Sequence, residues 1–201
     1  MPFDRNLSEL ALNAVNEQLR ALHAHPVELV VCGGSALQAL GLVNRTTRDL
    51  DILAQASHDI DGLLVLNSAK TLPEKLILAA KNVAQDLNLP DDWLNAGPTD
   101  LLTQGLPDGF INRLHLRKYG SHLAIYFIDR FDQICFKMYA AINGGGERHL
   151  SDLYQLNPSA DEVLIAAKWC LTQDASEIFP LLVCDCLKKA GFDHAAQQLL
   201  P

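Results

Sequence analysis

The sequence predicts an α/β (α+β) fold, with strands and helices interleaved and a helical C-terminal region, and three observations carry that expectation. Val27–Cys32 is a short, β-branched, nearly continuous apolar run ending at Gly33-Gly34-Ser35, which suits a strand buried on both faces. Arg48–Leu53 reads as a second strand, with Asp49 and Asp51 alternating against Leu50 and Ile52. From Phe131 onward, Phe131, Ile134, Cys135, Met138, Ala141 and Ile142 fall at offsets 0, 3, 4, 7, 10 and 11, a helical stripe that leaves Lys137 off it.

The remaining elements follow in order. Asn6 and Glu9 have the spacing of a capping box and predict a helix whose face carries Leu7, Leu10, Ala11, Ala14, Val15 and Leu22, closed by Pro26. After the glycines, Ala36–Leu40 predicts a short helix ending at Gly41. Leu72–Leu87 has helical spacing, with Pro73 in its first turn and Asn88 and Pro90 at its end. Phe110–Leu116 and Leu123–Ile128 read as strands joined through Lys118–Ser121. Gly144-Gly145-Gly146 has no following Lys-Ser or Lys-Thr and reads as a loop between helices, not a phosphate loop. Helices are then expected over Arg148–Leu156, from a capping box at Ser159 and Glu162, and over Ser176–Ala190 ending at Gly191. The expected division is a domain over 1–143 and a helical region over 147–201, packed on the first.

The 201 residues are 49% hydrophobic, enough for a substantial core. No basic start followed by an apolar stretch opens the chain and no 18-residue apolar run occurs, so a cytoplasmic protein without a membrane span is expected. The cysteines Cys32, Cys135, Cys170, Cys184 and Cys186 are odd in number and scattered, as reduced, mostly packed thiols are. A formal charge of −8 disfavours bulk binding to duplex DNA. A local basic cleft is left open by Arg45 and Arg48 and by Arg113, Arg117, Lys118, Arg130, Lys137 and Arg148, each of which also reads as a solvated surface charge.

The chemistry concentrates in two motifs. Gly33 and Gly34 let the backbone come close to a phosphate, whose oxygens can accept from the amides of the turn and from the Ser35 hydroxyl. Side chains two apart on a strand share a side, so Asp49 and Asp51 form one acidic face suited to a hard cation such as Mg²⁺ or Mn²⁺ shared with nucleotide phosphates.

Gly34-Ser35, thirteen intervening residues and Asp49-Leu50-Asp51-Ile52 resemble the signature of the nucleotidyltransferase superfamily. Gly33–Leu37, Thr47–Asp51, Leu89–Asn95, Phe136–Ala141 and Arg148–Leu153 are similar, more narrowly, to an uncharacterised bacterial nucleotidyltransferase-like family near the AbiEii-type toxins. The resemblance implies a small mixed sheet with helices against it and transfer of a nucleoside monophosphate from a nucleoside triphosphate with Mg²⁺. Asp49 and Asp51 would hold metal and act in catalysis, and Gly33, Gly34, Ser35 and Arg48 would line the triphosphate site. Lys137 fits a phosphate contact and equally an exposed helix lysine.

Active members of the superfamily usually carry a third carboxylate on a later strand. Here Asp129 stands at that strand's end and fits either a third metal ligand or a helix cap. Trp93 reads as a packing residue, Asn95 as a turn or cap residue and His149 as a surface histidine. The expected activity has an RNA end, a protein hydroxyl or a small molecule as acceptor, and suits the toxin of a toxin–antitoxin pair with an antitoxin partner. The alternative is a catalytically weakened domain that binds nucleotide or a protein partner.

Overall fold

Helix α1 (Arg5–Ala21) opens the first of two units, Met1–Asp129, in a computed structural model that describes residues 4–43, 46–144 and 147–199. Arg45, Gly145 and Gly146 lie outside the described residues. The cap of α1 is Asp4, whose carboxylate accepts from the Leu7 amide, and not the expected Asn6. Its buried face is rotated accordingly. Leu12, Val15 and Leu19 face the core, while Leu10 is 54% exposed.

Strand β1 (Val27–Cys32) has the predicted bounds and is buried along nearly all its length. Helix α2 (Gly33–Ala39) begins on the glycines themselves, with Cys32 as its N-cap residue, so they form the first turn of the helix. Strand β2 (Leu50–His58) starts two residues later than expected and runs five further. Strand β3 (Leu64–Ser68), helix α3 (Glu74–Leu87), the two-residue strand β4 (Leu94–Asn95) and helix α4 (Asp100–Gln104) follow. Of these α3 was legible, with Pro73 at its cap and Asn88 in the left-handed conformation at its end. Phe110–Arg113 is a 3-10 turn instead of a strand. The hairpin is therefore shorter, β5 (His115–Lys118) with β6 (Leu123–Phe127).

The sheet is mixed, in the order β3-β2-β1-β6-β5, with β4 also on β2. β1 runs antiparallel to β2 and parallel to β6, and β4 is parallel to β2. On one face, Leu29, Val31, Ile52, Ile125 and Phe127 join Leu12, Val15 and Leu19 of α1 and Leu76, Ala79 and Val83 of α3 in a single core. Burying each large aliphatic side chain there contributes about 1.5–3 kcal/mol. Val30 and Tyr126, opposite each other across β1 and β6, are also buried, as the apolar run of β1 requires.

The second unit, Arg130–Pro201, is helical: α5 (Arg130–Ile142), α6 (Glu147–Gln155), α7 (Ala160–Leu171), α8 (Phe179–Lys189) and α9 (Asp193–Leu199). The capping box at Ser159 and Glu162 opens α7 as predicted. Helix α5 is buried well beyond its apolar stripe, because Asp132, Gln133 and Lys137 are buried too. The Trp169 ring stacks on Phe136 at 5.6 Å and meets the edge of Tyr139 at 6.0 Å. None of the five cysteines is in a disulfide, and four are buried. Among the described residues no helix is long and apolar enough to cross a membrane.

Several basic residues expected at the surface instead have structural partners. Arg130 donates to the Leu156 and Asn157 carbonyls and pairs with Glu162. Arg117 pairs with Glu9, donates to the Ala39 carbonyl at 3.1 Å and lies over the Phe127 ring. A guanidinium can meet a carboxylate and a helix-end carbonyl with one rigid fork, and these two are used that way.

Candidate active site

The site begins where β1 passes into α2. Cys32 pairs with Asp51 across the sheet, and the chain turns immediately after it through Gly33, whose φ is +72°. The Asp51 carboxylate lies directly over that turn: a β-carbon on residue 33 would overlap Oδ2 and lie 3.2 Å from Cγ. Glycine is therefore favoured at this position by the backbone angle, and any side chain here would displace the Asp51 carboxylate from its seat. The glycine and aspartate motifs, separated by thirteen residues in the chain, meet here.

Alternation along β2 holds Asp51 away from the core, with Leu50 and Ile52 fully buried behind it. Asp49 stands just before the strand, and both carboxylates are half-buried. The Thr47 hydroxyl is 3.4 Å from Asp49 Oδ1, a long contact. Arg48 is exposed between Thr47 and Asp49.

Gly34 and Ser35 are buried in the first turn of α2. The Ser35 hydroxyl donates back to the Cys32 carbonyl at 3.3 Å, and the residue is 1% exposed. Its side chain ties the helix start to the strand end.

Asp129 follows the end of β6, where the Ile128 amide donates to the Val31 carbonyl at 3.1 Å. That sets Asp129 beside the level of the Gly33 turn, one strand from β1. Its Oδ2 lies 2.9 Å from His115 Nε2 on the neighbouring strand, so the imidazole N–H donates to it. Among the described residues no group of three or more His, Cys, Asp or Glu side chains is placed to hold a metal ion.

Lys137 belongs to the second unit. Its ammonium is buried against Asp152 Oδ2 at 2.8 Å, with side chains 8% and 1% exposed, so it is not a surface lysine. Two further residues of the first unit contact the expected site residues. Asn95 donates through Nδ2 to Asp51 Oδ1 at 3.3 Å, and its own Oδ1 accepts from the Gly97 amide at 3.0 Å. The Asn-x-Gly spacing signals the turn but not the contact with Asp51. His115 is the other, and nothing local in the sequence marks it.

A family described as nucleotidyltransferase of unknown function (DUF6036) matches residues 10–144, which includes both motifs and the whole sheet. The chain belongs to that family. No curated protein matches the chain, and no solved structure does. The matched residues include Gly33 and Asp51. Asp152, the partner of Lys137, lies beyond them.

Proposed function

We propose that the protein transfers a nucleoside monophosphate from a nucleoside triphosphate to an acceptor hydroxyl, at the meeting point of the Gly33 turn and Asp51. The observation that carries this reading is the seating of the Asp51 carboxylate directly over the Gly33 turn at the start of α2, which brings a carboxylate of the kind that suits a cation beside a helix start of the kind that suits a phosphate. In the reaction a bond forms between the acceptor oxygen and the α-phosphorus, the bond from that phosphorus to the bridging oxygen breaks, and pyrophosphate leaves. The acceptor's proton passes to solvent.

Asp49 and Asp51 suit Mg²⁺ or Mn²⁺, since Mg²⁺ commonly takes one or two carboxylates together with substrate phosphates. Such an ion, when bound, offsets the charge that builds up on the phosphate oxygens. The turn amides of Gly33 and Gly34 orient the triphosphate, and exposed Arg48 adds a cation beside it. Ser35 acts through the shape of the turn, its hydroxyl being engaged with Cys32. Lys137 takes no part in this reading, because its ammonium is paired with Asp152.

The acceptor belongs to one of three classes, an RNA end, a protein hydroxyl or a small molecule, and a toxin held in check by an antitoxin is the biological setting that suits it. A second reading, a weakened nucleotide-binding domain, is favoured by the engagement of Asp129 with His115, with no three-acid cluster among the described residues. One experiment separates them. The protein and its Asp51→Asn variant are incubated with each labelled triphosphate, Mg²⁺ or Mn²⁺ and cell extract. Label transferred by the parent and lost in the variant supports the enzyme; nucleotide binding without transfer supports the binding domain; neither binding nor transfer sinks both.

A further inference from the structure

We propose that Asn95 is a positioning residue for Asp51, holding one carboxylate oxygen so that the other is presented to the Gly33 turn and to a divalent cation. The inference rests on the nucleotidyltransferase reading above.

The placement of Asn95 is built from several fixed points. Trp93 is 1% exposed and its indole Nε1 donates to the Ala80 carbonyl of α3 at 3.0 Å, while its own carbonyl accepts from the Leu50 amide. This anchors β4 alongside the start of β2. Leu94 and Asn95 then pair in parallel with Leu50 and Asp51, which puts the Asn95 and Asp51 side chains on one side of the sheet.

The orientation of the amide follows from its two neighbours. Asn95 Oδ1 accepts from the Gly97 amide, and Nδ2 faces Asp51 Oδ1. Turned over, the side chain would set its NH₂ against an N–H and its oxygen against a carboxylate, two repulsive contacts in place of two bonds. The Gly97 turn therefore aims the donor at Asp51.

An amide is a neutral donor that can hold a carboxylate without bringing a competing charge to the cation. With Oδ1 accepting from Asn95 and Oδ2 over Gly33, Asp51 offers its oxygens unequally. A carboxylate that presents one oxygen suits Mg²⁺ and Mn²⁺, whereas Ca²⁺ readily takes both. Asn95 thus contributes to the choice of cation as well as to its affinity.

The test is Mn²⁺ binding to the full chain, read by electron paramagnetic resonance with a non-hydrolysable nucleoside triphosphate present, and competed with Ca²⁺. Asn95→Ala should bind Mn²⁺ about 10–100-fold more weakly, the usual effect of losing a group that orients a metal ligand. It should also become easier to compete with Ca²⁺, which a loss of general stability would not produce. Asn95→Ser keeps a weaker turn onto Gly97 but is too short to reach Asp51, so it should melt closer to the parent and show the same two binding defects. Parent-like Mn²⁺ affinity and Ca²⁺ discrimination in a folded Asn95→Ser protein would overturn the inference while leaving the nucleotidyltransferase reading in place. Failure of the parent to bind Mn²⁺ with nucleotide would bring down that reading and this inference together.

Discussion

Gly33 and Asp51 exclude a side chain from each other's space: the carboxylate stands where any β-carbon on residue 33 would be. Gly41 has nearly the same backbone angle, φ +71°, but nothing within 4 Å of an added Cβ, and so supplies the control. Gly41→Ala should cost about 1–2 kcal/mol, the penalty of the left-handed conformation alone. Gly33→Ala should cost more and should lower nucleotide affinity by displacing Asp51. Chemical denaturation and calorimetry on both variants check this; equal losses of stability with unchanged affinity would show that Asp51 moves aside freely.

Ser35→Ala separates a structural hydroxyl from a phosphate donor. The buried hydroxyl bonded to the Cys32 carbonyl predicts a loss of about 1 kcal/mol in stability with nucleotide affinity near that of the parent. An affinity loss beyond about tenfold, 1.4 kcal/mol, would return the hydroxyl to the phosphate site.

Asp129→Asn keeps an oxygen to accept from His115 and removes the charge. Because Asp129 is joined to His115 and no three-acid group forms among the described residues, melting temperature and Mn²⁺ affinity should both stay close to the parent values. A tenfold or larger drop in Mn²⁺ affinity, about 1.4 kcal/mol, would make Asp129 the third ligand.

Lys137 and Asp152 form a buried pair, and removing one partner takes the counter-ion from the other buried charge. Lys137→Met should destabilise the protein by about 3–5 kcal/mol, whereas Lys137→Met combined with Asp152→Leu should recover much of that loss. Urea denaturation of the two proteins reads the difference. A single variant as stable as the parent but inactive would place Lys137 at the nucleotide after all.

Tyr119 predicts an alkaline limit to stability. Burial, with the nearby Glu9 charge, pushes its phenol up to about 12. The unfolded chain releases this proton near pH 10, so the stabilisation is complete below pH 10 and is lost as pH rises from 10 through about 12. Tyr119→Phe should remove that part of the slope, on the order of 1–3 kcal/mol across the window, in denaturation measured against pH.

Local chemistry made parts of this fold legible. The apolar run of β1, the Pro73 and Asn88 boundaries of α3 and the box at Ser159 each carry their signal within a few residues. Strand β3 has no such signal, because its residues are mostly exposed and its order comes from pairing with β2. The two residues of β4 depend wholly on β2 and on the anchoring of Trp93. At the site, the resemblance to the nucleotidyltransferase signature implied that the two motifs act together, and Gly33 and Asp51 are the residues that meet. The contact of Asn95 with Asp51 was not implied, since it spans 44 residues and arises from sheet register. The burial of Lys137 was not legible for a related reason: its counter-ion lies on the next helix, and helical periodicity reports apolar partners only.

The Lys137–Asp152 pair also bears on how the protein can be divided. The family match ends at residue 144, after α5 and before α6. A fragment trimmed at that boundary would retain both sequence motifs and the full sheet, yet it would carry an α5 whose lysine had lost its counter-ion and whose Phe136 and Tyr139 had lost the Trp169 ring. Inactivity or aggregation of such a fragment would then report on an exposed helix and say nothing about Asp49 and Asp51.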